Sequence, residues 1–208
     1  MINLDKAEIA IISTLNDSSL NMPWHVLFYV DLMRIIKYEN KITVVTRDAY
    51  ERYYGMNQAR LSKEWLDKYF DTANKYLNDH KKPSSFEVLM GDVGPDGNRV
   101  QFSFLSKMFH TLKDDEPIYD GYVRSFLGAG VPNGKTKCDR QVAAVEIYEN
   151  NIKAGFYKND KYADFRNIIL KRFNVIFFDV IGVSDEKKID FVLWALGKRG
   201  VKITDFLW

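Results

Sequence analysis

A lysine and an aspartate stand near the starts of two consecutive helix-like segments in the middle of the chain. Residues 103–128 read SFLSKMFHTLKDDEPIYDGYVRSFLG. Ser103 is placed to cap the first helix, which would put Lys107 at about its first turn. The helix dipole disfavours a positive charge there, so we expect the pKa of the Lys107 amine to fall. Asp120 is placed to cap the second helix, where free backbone N–H groups would hold its carboxylate ionised.

A partly neutral amine beside a fixed carboxylate can attack an electrophilic sugar carbon. The amine would be the nucleophile, and the carboxylate would stabilise the positive charge that develops on the sugar. The alternative is that Lys107 is solvated between Leu105, Met108 and Phe109, and that Asp120 is only a helix cap, worth about 0.5–2 kcal/mol. The spacing by itself favours this alternative.

The same region resembles the helix–hairpin–helix DNA glycosylase superfamily. A glycine-rich turn, GDVGPDGNR, precedes a helix with an early lysine, and the next helix begins with PIYD. The form FSFLSKMFH…PIYDGYV is most similar to the bacterial proteins described as having the 8-oxoguanine DNA glycosylase fold. The resemblance runs from Phe86 to Leu127, and the flanking regions share only the helical pattern.

This resemblance implies a role for each residue of the pair. Lys107 would attack the sugar C1′ atom, and Asp120 would support the oxocarbenium-like state. The implied activity is that of a DNA glycosylase, a hydrolase that can also act as an AP lyase, which removes an oxidised or otherwise modified base in DNA repair. The partner would be double-stranded DNA with the target base flipped out. Neither a cofactor nor a metal is expected.

DNA binding also requires positive side chains and a pocket for the base. The candidate phosphate contacts lie in the glycine-rich turn, one turn past Asp120, and in the loop NGKTKCDR; they are Arg99, Arg124, Lys135, Lys137 and Arg140. The candidate pocket walls are aromatic: Trp24, Phe28, Tyr54 and Trp208. Taken singly, each basic residue is more typical of solvated surface and each aromatic residue of a core.

Charge and composition limit the other possibilities. The chain has 208 residues, with 30 basic against 28 acidic side chains and a formal charge of +2, so a nucleic-acid surface would have to be a local patch. The three histidines, His25, His80 and His110, are scattered and give no metal-ligand spacing. Cys138 is the only cysteine, which fits a reducing compartment.

The termini and the apolar runs favour a cytoplasmic protein. The first residues, MINLDKAEIA, lack the basic region and apolar stretch of a signal peptide. No apolar run approaches the ~20 residues that span a bilayer. We therefore expect no membrane partner, and we favour a monomer.

The apolar periodicity predicts an all-α fold of the helix–hairpin–helix DNA glycosylase type, with at most one short strand pair. Between residues 57 and 80, large apolar residues recur every four positions, as in a long amphipathic helix. Ser85 and Ser184 are placed to cap later helices. NVIFFDVIGV is rich enough in β-branched and aromatic residues for a short strand, although its length also suits a buried helix. The expected organisation is one compact domain over residues 1–208, or two lobes flanking a cleft.

Two alternative functions are open at this point. One is a catalytically inactive DNA-binding protein on the same scaffold, such as a component of a genome-defence or phage-defence system. Such a protein would bind DNA in a salt-dependent way and release no base. The other is a helical protein-interaction domain, which would expose a large apolar patch.

Overall fold

The computed structural model describes residues 2–97, 99 and 101–207, and this part of the chain is built from α-helices. Their bounds are α1 Leu4–Leu15, α2 Met22–Glu39, α3 Val44–Tyr53, α4 Lys63–Asn78, α5 Phe86–Val93, α6 Phe102–Leu112, α7 Gly121–Leu127, α8 Lys137–Glu146, α9 Ala163–Ile176 and α10 Asp185–Lys198. Helix α8 continues into a π-helical segment, Ile147–Tyr157. The predicted all-α fold class is confirmed.

Several helix starts follow directly from the sequence. The Ser85 hydroxyl accepts a hydrogen bond from the Val88 N–H at the start of α5, and the Ser184 hydroxyl accepts one from the Lys187 N–H at the start of α10. Both caps are confirmed. They satisfy N–H groups that the first turn of a helix leaves without an intrahelical partner.

The predicted strand at NVIFFDVIGV is wrong, and so is its alternative, a buried helix. Residues 174–176 complete α9, and the following residues form an exposed turn in which the side chains of Phe178 and Ile181 face solvent. The described residues contain no strand, only the isolated bridges Ile2–Leu207 and Asp96–Arg99. A β-branched segment without a neighbouring strand cannot satisfy its backbone by pairing, so the preceding helix simply extends into it.

Helix α10 is largely buried, and it packs against α1, α7 and α9. Helices α4, α5 and α6 pack on one another, and α2 packs on α3. The buried apolar residues form one cluster that joins these groups. Two of the helices carry charged residues within the core: Lys107 on α6, and Lys187 and Asp190 on α10. Buried charges are rare unless they are paired, so the region around these side chains is the candidate functional site.

Among the described residues, no helix combines the length and the apolar character needed to cross a lipid bilayer.

Candidate functional site

Lys107 and Asp120 meet in one cleft. The Lys107 Nζ atom lies 3.5 Å from Asp120 Oδ2, and the two side chains are 10% and 20% exposed. Both residues line a cleft that opens to solvent between α6, α7 and α10. The two side chains proposed to act together are therefore adjacent, and they remain accessible to a small group.

Lys107 sits deeper in its helix than the sequence suggests. Helix α6 begins at Phe102 with Gln101 as its N-cap, so Ser103 lies inside the helix and the predicted Ser103 cap is wrong. The Ser103 hydroxyl instead accepts a hydrogen bond of 3.2 Å from Lys107 Nζ. The pKa of Lys107 is lowered, as expected, but burial is the main cause and the Asp120 charge opposes it. Desolvation, rather than the helix dipole, favours the neutral amine.

Asp120 is the N-cap of α7, as predicted. Its Oδ1 atom accepts a hydrogen bond of 2.8 Å from the Tyr122 N–H, which leaves Oδ2 to face Lys107. The preceding residue, Tyr119, is tied to α6 because its N–H donates to the Ser106 hydroxyl at 3.0 Å. The carboxylate is thus fixed by its own helix and by a link to the helix that carries the amine.

The loop before Asp120 is anchored by buried polar groups. The His110 Nδ1 donates to the Glu116 carbonyl oxygen at 2.6 Å, and the Tyr148 hydroxyl donates to the Pro117 carbonyl oxygen at 2.8 Å. The Glu116 carboxylate pairs with Lys153 at 2.7 Å. These bonds hold the loop in a single position, so the spacing between Lys107 and Asp120 is set by the core.

A second ion pair in the same cleft was not predicted from the sequence. On α10, Lys187 Nζ lies 2.6 Å from Asp190 Oδ2, with both side chains almost fully buried. The Asp190 Oδ1 and Tyr54 hydroxyl oxygen atoms, also buried, have no hydrogen-bond partner among the described residues. The sequence signal was available: in KKIDFVLW, Lys187 and Asp190 stand one helical turn apart at the start of an apolar run.

The cleft is narrow. Its free volume is about 60 Å³, against the ~300–1,000 Å³ of ordinary ligand pockets. It contains both ion pairs, aromatic rings and aliphatic side chains; the lining residues are His25, Tyr53, Tyr54, Lys107, Ile118, Asp120, Lys187, Asp190, Phe191 and Trp194. The cleft can admit the reacting part of a sugar, but a whole base would require its walls to move.

Of the three predicted pocket aromatics that the structure describes, only Tyr54 lines the cleft. Trp24 and Phe28 stack on each other with ring centroids 5.0 Å apart, outside the lining. Trp208 lies outside the described residues. Sequence reasoning missed Trp194, whose ring centroid lies 4.8 Å from that of His25. Its position one turn after Asp190 on α10 was the signal that could have identified it.

The predicted DNA-contact residues fall into two groups. Arg99, Arg124 and Arg140 line a single groove of about 510 Å³ next to the cleft. Lys135 and Lys137 are exposed around the start of α8, outside the lining of this groove. The structure therefore brings together three cations from three separate elements.

In the part of the chain that the structure describes, no group of three His, Cys, Asp or Glu side chains is placed to hold a metal ion. The site offers an amine whose pKa is lowered by burial, a fixed carboxylate and a second buried ion pair. This combination is suited to nucleophilic attack by the amine with electrostatic support from the acid.

Comparison with known proteins gave no relative. No protein-family model, no curated protein and no solved structure matches this chain.

Proposed function

We propose that this protein is a DNA glycosylase with AP-lyase activity, in which Lys107 is the nucleophile and Asp120 the supporting acid. One observation carries the proposal: the Lys107 amine, largely desolvated, lies 3.5 Å from the Asp120 carboxylate in a cleft open to solvent. Neutral amines attack sugar carbons, and a carboxylate stabilises the oxocarbenium-like charge. The sequence resemblance to the helix–hairpin–helix DNA glycosylases supports the same assignment.

The reaction can be written for these two residues. The Lys107 lone pair forms an N–C1′ bond while the C1′–N bond to the base breaks. The base leaves with the bonding electrons and takes up a proton, and Lys107 then loses one. The C1′–O4′ bond then breaks with its electrons going to O4′, which takes up a proton, while the Nζ lone pair completes the C1′=N bond of a Schiff base. The Asp120 carboxylate faces the carbon at which positive charge develops.

The substrate we propose is DNA carrying an oxidised or otherwise modified base, such as 8-oxoguanine, with the target nucleotide out of the stack. The helical hairpin formed by α5 and α6, joined by a turn with Gly94 and Gly97 at positive φ, supports a helix–hairpin–helix assignment. The single cysteine, Cys138, supports a cytoplasmic setting.

Borohydride trapping tests the proposal. Oligonucleotides that contain an abasic site or a range of oxidised bases are incubated with the protein and sodium borohydride, which reduces the Schiff base to a stable amine. We expect a covalent adduct with the wild type and none with Lys107→Gln. Lys37→Gln is the matched control, because Lys37 is an exposed lysine whose ion pair lies outside the cleft. Absence of an adduct on every substrate would reject the lyase assignment.

Asp120→Asn separates the charge of this residue from its capping role. Asparagine caps a helix about as well as aspartate, so folding should be retained. Loss of the carboxylate charge should slow base release, while DNA binding changes little. If Asp120→Asn releases base at the wild-type rate, Asp120 is only a cap.

The second candidate is a DNA-binding protein without catalysis on the same scaffold. The specific observation in its favour is the small free volume of the cleft, about 60 Å³, which a base cannot enter without movement of the walls. It predicts salt-dependent DNA binding that Lys107→Gln leaves intact, with no adduct and no released base.

A further inference from the structure

The arginine-lined groove shares a wall with the cleft. Ser103 and Phe104 line the groove, and the Lys107 ammonium both donates to the Ser103 hydroxyl and lies 5.0 Å from the centre of the Phe104 ring. Tyr119, which lines the groove too, directly precedes Asp120. A molecule in the groove would therefore lie one side chain away from the reactive pair.

The rim of the groove is positively charged. Arg99 comes from the turn between α5 and α6, Arg124 from α7 and Arg140 from α8. No carboxylate is among the described residues that line it. Guanidinium groups bind phosphate oxygens through paired hydrogen bonds, so three of them around one groove favour a phosphodiester.

The remaining wall is apolar and partly open to solvent. Phe104 and Pro132 are half-buried, and Val131 is 62% exposed. The volume of about 510 Å³ lies within the ~300–1,000 Å³ range of ligand pockets, unlike that of the cleft. Arginines facing an apolar wall are the combination by which proteins hold single strands, with phosphates on the charged side and unstacked bases on the apolar side.

We infer that this groove binds the nucleotide next to the reacting one, and that the substrate is single-stranded DNA. The inference rests on the proposed function, and it specifies the form of DNA. In a duplex, the neighbouring base stays paired with the opposite strand and stacked on its other neighbour, so it cannot lie against Phe104 and Val131. In a single strand, that base is free to do so, and its phosphate reaches the arginines while the next sugar enters the cleft.

Fluorescence anisotropy tests this inference with a short fluorescein-labelled oligodeoxythymidine, the same strand annealed to its complement, and the corresponding RNA. We expect the single DNA strand to bind most tightly. Arg124→Gln should weaken binding of the single DNA strand. It should also make the slope of log K against log salt concentration shallower by about 0.7, the value for one lost phosphate contact on a single strand. Arg34→Gln, an exposed arginine on α2, is the matched control and should bind as the wild type does.

The apolar wall is tested separately. Phe104→Ala should weaken single-strand binding about tenfold with an unchanged salt slope, because a stacking contact carries no charge. Val131→Asp, at an exposed position, keeps the test valid if Phe104→Ala does not fold; it should weaken binding by charge repulsion and loss of apolar contact.

Equal or tighter binding of the duplex or of RNA would overturn the inference, and so would wild-type affinity in the groove variants. The two proposals fail in different ways. If Arg124→Gln and Val131→Asp form the adduct normally on single strands, the inference about the groove is rejected and the lyase assignment stands. If the groove variants weaken single-strand binding but no adduct forms with any variant or the wild type, the lyase assignment is rejected and the groove remains a binding site.

Discussion

Lys187 and Asp190 form a buried ion pair on the inner face of α10, and only one of the two carboxylate oxygens is used. The Lys187 Nζ atom lies 2.6 Å from Oδ2, whereas Oδ1 has no hydrogen-bond partner among the described residues. Burial raises the pKa of Asp190, and the charge of Lys187 opposes this shift. A pair desolvated to this extent adds little net stability, because the cost of removing both charges from water offsets their attraction.

Removing one member of the pair should be strongly destabilising. Asp190→Ala leaves the Lys187 ammonium buried and unpaired, and we expect the free energy of unfolding to fall by about 3–5 kcal/mol. The double variant Lys187→Met/Asp190→Leu removes both charges and should return to near or above the wild-type value. Urea unfolding measures both.

Asp185→Ala is the control for this prediction. Asp185 pairs with Lys188 at the same spacing on the same helix, but its side chain is 62% exposed, so its loss should cost less than about 1 kcal/mol. A double variant as unstable as Asp190→Ala would show that the pair is a net stabilising element.

Lys107→Met should make the protein more stable at neutral pH. Burial lowers the pKa of Lys107 below the ~10.5 of the unfolded chain, so the charged form is disfavoured in the fold. Between the two pKa values the unfolded chain binds more protons, and the stability of the wild type therefore rises with pH.

Thermal or urea unfolding over a series of pH values measures this difference. The advantage of Lys107→Met should be full below the folded pKa of Lys107 and should shrink as the pH approaches ~10.5. If Lys107→Met is less stable than the wild type at pH 7, the amine is held by its ion pair with Asp120 rather than strained by burial.

The buried His110 should make the protein sensitive to acid. Its Nδ1–H donates to the Glu116 carbonyl, so the neutral ring accepts the Tyr29 hydroxyl proton at Nε2. Burial lowers the pKa of His110 to about 3, below the ~6.5 of the unfolded chain. Between these values only the unfolded chain takes up the proton, so stability falls as the pH drops from ~6.5 towards 3, by up to about 1.4 kcal/mol per pH unit.

His110→Gln should flatten this part of the stability curve, whatever its effect at pH 7. His80→Asn is the matched control, because it removes an exposed imidazole at a left-handed position that asparagine tolerates and leaves the buried hydrogen bonds intact. If the stability of His110→Gln falls with decreasing pH as steeply as that of the wild type, other groups cause the acid sensitivity.

Gly197 should be indispensable for the approach of α10 to α7. A Cβ atom at this position would overlap the carbonyl oxygen of Tyr122, which is backbone and cannot move alone. Gly197→Ala should therefore destabilise the fold by about 1–3 kcal/mol or more and displace the start of α7, including Asp120.

Gly91→Ala is the contrasting control. Gly91 is also helical, but it is exposed and has nothing within 4 Å of the added Cβ, so alanine there should stabilise the protein by roughly 0.5–1 kcal/mol. Chemical denaturation of the two variants compares the same substitution in two settings. If Gly197→Ala leaves the free energy of unfolding unchanged, the two helices can separate at little cost.

Local chemistry could be predicted where a residue acts on its own neighbours. The caps at Ser85, Asp120 and Ser184 form as expected because a side-chain oxygen and an N–H group two or three residues later need no distant partner. The period of four in α4 likewise predicts the face that carries the buried Trp65 and Tyr69. Such signals are contained within a few consecutive residues.

The sequence by itself determined the helical class and the starts of α5, α7 and α10, and it singled out Lys107 and Asp120 as candidates for chemistry. Only the tertiary structure decided that Lys107 and Asp120 face each other, that Lys187 and Asp190 lie in the same cleft, and that the amine is desolvated by packing rather than by its helix dipole. Burial and distance depend on which distant helices pack together, here α6, α7 and α10, and no local pattern contains that information.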